Sequence, residues 1–217
     1  MNCKYDAVFF DFDGTIADTG AGIFNSVSYA IAAMGFPPLP DDRLRTFIGP
    51  PVFDSFKREL GLNDEDAAKA VEKYRERYSE SGIYQLEVYN GIEELIKELK
   101  NSGIKVAIAS SKPEKFVVRL IDYLNISHLI DFIAAPESDK APDKKTVLVE
   151  RAVKHFGVDK TRALMVGDRY FDIDGANGAG VESIGVTFGY GSREELEKAG
   201  STYLVDNAEE IRKIIFS

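Results

Sequence analysis

Ala7-Val8-Phe9-Phe10-Asp11-Phe12-Asp13-Gly14-Thr15 sets an unbroken apolar run of four residues directly against two carboxylates and a glycine. A run this short, with no polar alternation, predicts a strand buried on both faces. The polar residues that follow it predict a strand end that turns sharply at Gly14. Outward from this stretch, similar runs recur at Lys105–Ala109, Phe132–Ala134, Ala163–Val166 and Ser183–Val186, with a weaker one at Thr202–Val205. Amphipathic stretches lie between them. In Ile92–Lys100 the apolar residues Ile92, Leu95, Ile96 and Leu99 fall at helical spacing, as do Leu148, Val149, Ala152 and Val153 in Thr146–His155. Strands alternating with helices predict an α/β protein, a parallel sheet with helices on both faces.

One segment interrupts the alternation. From residue 18 to 85 the pattern is helical, over about Ala21–Met34, Asp41–Thr46, Val52–Glu59 and Asp64–Glu80, with Gly/Pro punctuation between. The expected organisation is a catalytic core of residues 1–17 and 86–217 and an all-helical cap domain of residues 18–85 inserted after the first strand. Such a cap would hinge near Ala17–Gly20 and Ile83–Glu87. The acidic run Asp64-Glu65-Asp66 suits a helix N-terminus.

The chain has 217 residues, 44% hydrophobic and 29% charged, which suits a globular protein with a sizeable core. Its net charge of −9, from 27 basic and 36 acidic residues, argues against a nucleic acid polymer or an anionic membrane as partner. The single cysteine, Cys3, has no internal partner, and the apolar run at Ala7–Phe10 is far too short for a signal or a membrane span. The expectation is an untargeted cytoplasmic protein, a monomer by default with a dimer open.

In a parallel sheet the ligand crevice lies beyond the carboxyl ends of the strands. There the sequence puts Asp11-Phe12-Asp13-Gly14-Thr15, then Ser110-Ser111-Lys112-Pro113, then Gly167-Asp168 with Asp172 one turn on. Aspartates converging on one strand edge repel one another unless a cation sits among them. A hard divalent metal suits such a set, and magnesium would complete its octahedron with water and a phosphate oxygen. Zinc is disfavoured, because His128 and His155 lie away from these strand ends.

Asp11 is then the candidate nucleophile for phosphorus, forming an aspartyl phosphate, and Asp13 the acid that protonates the leaving alcohol and later activates water. Gly14 permits the turn, Thr15 bonds to it, and the Ser110 hydroxyl and Ser111 amide can donate to phosphate oxygens. A lysine is still required to neutralise charge. Lys145 fits the helix that follows it, with Lys144 one residue away as the alternative.

These residues resemble the haloacid dehalogenase superfamily, in the branch of phosphoglycolate phosphatases and related small-metabolite phosphatases. The resemblance spans essentially the whole chain. It rests on Asp11-Phe12-Asp13-Gly14-Thr15, Ser110, Lys145 and Gly167-Asp168-Arg169-Tyr170-Phe171-Asp172 with Gly175-Ala176 beyond. It implies a Rossmann-like core, a helical cap, and Mg2+ bound by Asp11, the Asp13 carbonyl and Asp168, with Asp172 positioning the metal or its waters. The loop Thr46–Pro51 is similar to that branch's substrate-facing loop, which makes Arg45, Phe47 and Gly49 candidate substrate contacts. The segment Gly185–Gly191 is similar too. The chain departs from the pattern at Lys140–Lys145, where many relatives carry Lys-Pro-x-Pro.

An isolated Asp-x-Asp is usually a turn or a helix start, and Ser-Ser before Lys-Pro can merely cap a helix. Joint occurrence at three strand ends weighs against the structural reading for the aspartates. The function implied is a magnesium-dependent phosphatase acting on a small phosphorylated substrate, such as phosphoglycolate or a nucleoside monophosphate. A phosphosugar mutase on the same scaffold would need the same Asp11 and Asp13, and a non-enzymatic binding module would be expected to have lost part of the acidic set.

Overall fold

The structure, a computed structural model, describes residues 3–137 and 143–217. Its first element is β1 (Ala7–Phe10), wholly buried, as an unbroken apolar run requires. The chain leaves through the two-residue strand β2 (Ala17–Asp18) and forms α1 (Gly20–Ala33), α2 (Asp41–Arg45), α3 (Val52–Leu60) and α4 (Asp64–Glu80). It returns through β3 (Glu87–Val88), which pairs with β2. Then follow α5 (Ile92–Asn101), β4 (Lys105–Ala109), α6 (Glu114–Tyr123), β5 (Phe132–Ala134), α7 (Lys145–Phe156), β6 (Ala163–Gly167), α8 (Tyr170–Ala179), β7 (Glu182–Val186), α9 (Arg193–Lys198), β8 (Tyr203–Val205) and α10 (Ala208–Ile215).

Met1–Ala17 and Val88–Ser217 form one compact unit, Asp18–Glu87 the other. The first unit is an α/β layer structure around a six-stranded sheet of order β5-β4-β1-β6-β7-β8, with parallel pairing throughout. Every strand therefore ends at the same edge. From β1 the chain builds outward to β4 and β5 on one side, then crosses to β6, β7 and β8 on the other. Their divergence at β1 makes the switch point at which such sheets bind ligands. Phe10 lies level with Ile108 and Val166, so the residues just beyond these three strands share one rim.

One face of the sheet is covered by α7 and α8: Leu148, Val149, Ala152, Ala176 and Ala179 pack on Ala7, Phe9, Ala107 and Met165. Burying an aliphatic side chain the size of Leu148 contributes roughly 2 kcal/mol, so this seam fixes where both helices begin. Ile92, Leu95, Ile96 and Leu99 of α5 are likewise buried, as their spacing predicts. Gly175 permits the closest approach within this layer, because a Cβ there would overlap the side chain of Lys145.

In the second unit α1 packs along α4, whose first turn carries Asp64, Glu65 and Asp66. Asn63 caps that helix, its Oδ1 accepting from the Asp66 N–H at 2.9 Å. Phe47 and Phe56 meet edge-on at 5.0 Å between ring centres, both buried. β2 and β3 are strands in a region whose pattern shows none, since two residues are too short to display a period. Among the described residues no helix is long and apolar enough to cross a membrane. Lys140–Pro142 lie outside the described residues.

Candidate active site

Asp11 is the first residue past β1, and its main chain continues the ladder: its N–H donates to the Val166 carbonyl at 2.9 Å. Asp13 forms an isolated parallel bridge with Ala17, and the Gly14 N–H donates to the Ala17 carbonyl at 2.9 Å. Gly14 adopts φ 85°, a conformation open to glycine. A Cβ at Gly14 would collide with the Asp168 carboxylate, so the turn is pressed directly against the next acid.

Asp168 follows β6 and Asp172 lies in the first turn of α8, and both are fully buried. Asp11, Asp168 and Asp172 each present a carboxylate oxygen, all within 4.8 Å of one another. Lys145, the first residue of α7, enters this cluster. Its Nζ stands 2.9 Å from Asp11 Oδ1, 2.7 Å from Asp172 Oδ1 and 3.0 Å from the Ala109 carbonyl. The contacts to Asp11 and to the Ala109 carbonyl are hydrogen bonds, whereas Asp172 Oδ1 is held by charge alone and accepts no hydrogen bond, a buried oxygen left open toward the cluster. Lys144, at the N-cap position, is exposed.

The electrostatics are lopsided. Burial pulls the Lys145 ammonium down, but the carboxylates of Asp11 and Asp172 more than reverse this and hold it above the ordinary lysine range. Asp172 is raised to about 6, by burial first and by Asp11, against the opposing pull of Lys145. Asp168 is pushed well above the usual carboxylate range by burial and by the neighbouring Asp172 and Asp11. Its Oδ2 accepts from the Tyr190 N–H at 2.7 Å, and the Thr15 hydroxyl lies 3.5 Å from Oδ1. One ammonium faces three buried carboxylates. The donor set is all oxygen, with no histidine or cysteine among its members, and this fits a hard divalent cation.

Across the rim, Ser110 is the first residue past β4, buried, its N–H bonded to the Ala134 carbonyl at 3.1 Å. The Ser110 hydroxyl accepts from the Lys112 N–H at 3.3 Å. Ser111 beside it is half-buried. Lys112, to which the sequence pattern assigns no role, pairs with Asp13 Oδ2 at 3.0 Å. Tyr190 is a second unassigned contributor, through its backbone N–H in the loop after β7. The clue to Lys112 lies in its position two residues beyond Ser110 at a strand end.

The remaining predicted residues belong to the helical unit. Arg45 closes α2 with its side chain exposed. Phe47 is buried against Phe56 in the core of that unit, and Gly49 is half-buried with φ 101°. His155 stacks on Phe132 at 3.8 Å, on the flank of the sheet.

An α/β sheet with an acidic cluster at its switch point defines the class, and residues 8–186 match the haloacid dehalogenase-like hydrolase family, to which the chain belongs. Over 214 residues it is 33% identical to a 5'-nucleotidase of Pseudomonas aeruginosa, covering 99% of this chain and 97% of that one. It is 29% identical over 213 residues to phosphoglycolate phosphatase 1 of the same organism, covering 94% and 77% respectively. The crystal structure of a predicted phosphatase from Clostridium acetobutylicum superposes with a TM-score of 0.91 at 33% identity, over 96% of this chain and 97% of that one. Within the family the chain is a phosphatase of the phosphoglycolate phosphatase-like kind, a phosphoric monoester hydrolase.

Proposed function

We propose that the protein is a magnesium-dependent phosphatase that hydrolyses a small phosphorylated metabolite through an aspartyl phosphate on Asp11. The observation that carries this reading is the convergence of Asp11, Asp168 and Asp172 within 4.8 Å, with Lys145 ion-paired to two of them. Asp11, Asp168 and the Asp13 carbonyl would hold the ion, with Asp172 beside them. When bound, magnesium supplies neutralisation of the phosphoryl oxygens.

Lys145 holds Asp11 Oδ1, which leaves Oδ2 to attack phosphorus. The phosphorus–ester oxygen bond breaks as the new bond forms, and Asp13 hands its proton to the departing alkoxide. The Asp13 carboxylate then takes a proton from water. The resulting hydroxide attacks phosphorus, the phosphorus–Oδ2 bond breaks, and inorganic phosphate leaves with the Asp11 carboxylate restored. The Ser110 hydroxyl, the Ser111 N–H, the turn at Gly14 and Thr15, and Lys145 would steady the phosphoryl oxygens. For Lys145 this means turning a proton not held by Asp11 or the Ala109 carbonyl toward a phosphoryl oxygen.

Similarity to a phosphoglycolate phosphatase and to a 5'-nucleotidase supports a phosphoglycolate-like or nucleoside monophosphate substrate. The helical unit would act as the cap, with Arg45, Phe47 and Gly49 contributing to substrate choice. The low cysteine content and the metabolite substrate support a cytoplasmic enzyme, a monomer by default with a dimer open.

Phosphate release over a metabolite panel, with and without magnesium, tests this. Release should need the metal and vanish in Asp11→Asn, which should still fold. An Asp11→Asn variant that keeps most of its turnover, or an isomerised sugar phosphate appearing in place of free phosphate, would overturn the reading.

A further inference from the structure

We infer that Lys112 is a positioning residue for the acid–base step: its ion pair aims the Asp13 carboxyl at the leaving-group oxygen. This rests on the reading of Asp13 given above. Lys112 Nζ lies 3.0 Å from Asp13 Oδ2, and the two side chains are only 7% and 11% exposed. Proton transfer requires the acid within hydrogen-bond reach of the oxygen it protonates, and a carboxyl free to rotate spends much of its time elsewhere. The Asp13 backbone is held by its bridge to Ala17, but backbone fixation leaves the two side-chain torsions free.

Lys112 is itself well anchored. Its N–H is bonded to the Ser110 hydroxyl at 3.3 Å, and Pro113 follows as the N-cap of α6. Proline restricts the residue before it to extended conformations, so the Lys112 main chain has little latitude. The rims of β1 and β4 are thereby tied together, with Asp13 set relative to Ser110. A lysine stem at this depth gives up rotamer freedom, and the ion pair with Asp13 helps to offset that cost.

The test separates positioning from folding by leaving-group dependence. A leaving group such as 2,4-dinitrophenolate departs without a proton, whereas a simple alkoxide needs one. The quantity to measure is kcat/KM in the magnesium-loaded enzyme, because it covers the steps up to loss of the leaving group. Lys112→Met should lower kcat/KM by about tenfold or more for an alkyl phosphate and by about twofold or less for 2,4-dinitrophenyl phosphate. Lys112→Arg should recover much of the alkyl phosphate rate. Asp13→Asn is run alongside and should show the same split, larger. If Asp13→Asn shows the split and Lys112→Met lowers both substrates equally, or neither, the positioning role is wrong while the acid assignment stands. If Asp13→Asn shows no split, the acid assignment itself fails and takes this inference with it.

Discussion

The Lys145 ammonium and the Asp11 carboxylate, separated by 134 positions in the chain, meet at 2.9 Å with side chains 4% and 6% exposed. Removing one member of a buried pair leaves an uncompensated charge, which costs more than the pair itself contributes. Lys145→Met would strand two acids, Asp11 and Asp172. The unfolding free energy from urea titration in the presence of a chelator is expected to fall by about 3 kcal/mol, with turnover lost.

Metal and stability are coupled through the same cluster. An ion that binds only the folded chain stabilises it by about 2.7 kcal/mol at a hundred times its dissociation constant. Thermal melting should therefore shift upward with magnesium. Asp168→Asn reduces the crowding of negative charge, so without metal it should melt above the wild type. Its response to magnesium should be nearly flat, and a full upward shift would remove Asp168 from the ion's ligands.

Gly14 combines φ 85° with no room for a Cβ beside Asp168. Gly14→Ala should cost roughly 1–3 kcal/mol from the backbone strain. It should also weaken magnesium binding by about tenfold, because the displaced acid is one of the proposed ligands. Titration calorimetry reads the second effect independently of catalysis.

Asp131 offers a pH-dependent contribution far from the catalytic rim. Burial pushes its carboxyl up, but the ion pair with Lys100 and the bond from the Val106 N–H prevail and hold it below the ordinary aspartate range. With a folded value below the unfolded one, its stabilisation is complete above the unfolded carboxylate's range, near pH 4, and is lost as pH falls through the folded value. Asp131→Asn should lower stability at pH 7 by about 1 kcal/mol and flatten the acid limb of the stability curve. Urea midpoints between pH 3 and pH 7 would show it.

The strands around the site were legible because a strand buried on both faces must be apolar at every position, as Ala7–Phe10 and Ala163–Val166 are. The acids at their ends followed from topology alone. Lys145 was separable from Lys144 only by the apolar spacing that follows it, and the structure places Lys145 inside and Lys144 outside. α8 is obscured in the sequence by Gly175 and Gly178, poor helix formers placed there to let α7 come close. Lys112 offered only its position at a strand end as a clue, since its pairing with Asp13 depends on how two separate strand ends turn. β2 and β3, held by pairing with each other, had no local signature either.

That pairing gives the chain a modular character. Because β2 and β3 lie side by side, the departure at Asp18 and the return at Glu87 are neighbours, and the excursion between them closes on itself. Lengthening such a closed loop costs little in chain entropy, about 0.6 kcal/mol per doubling. A different segment grafted between these two points would leave the register of the sheet as it is, and, on the reading of the helical unit as a cap, would bring a new substrate preference to the same platform.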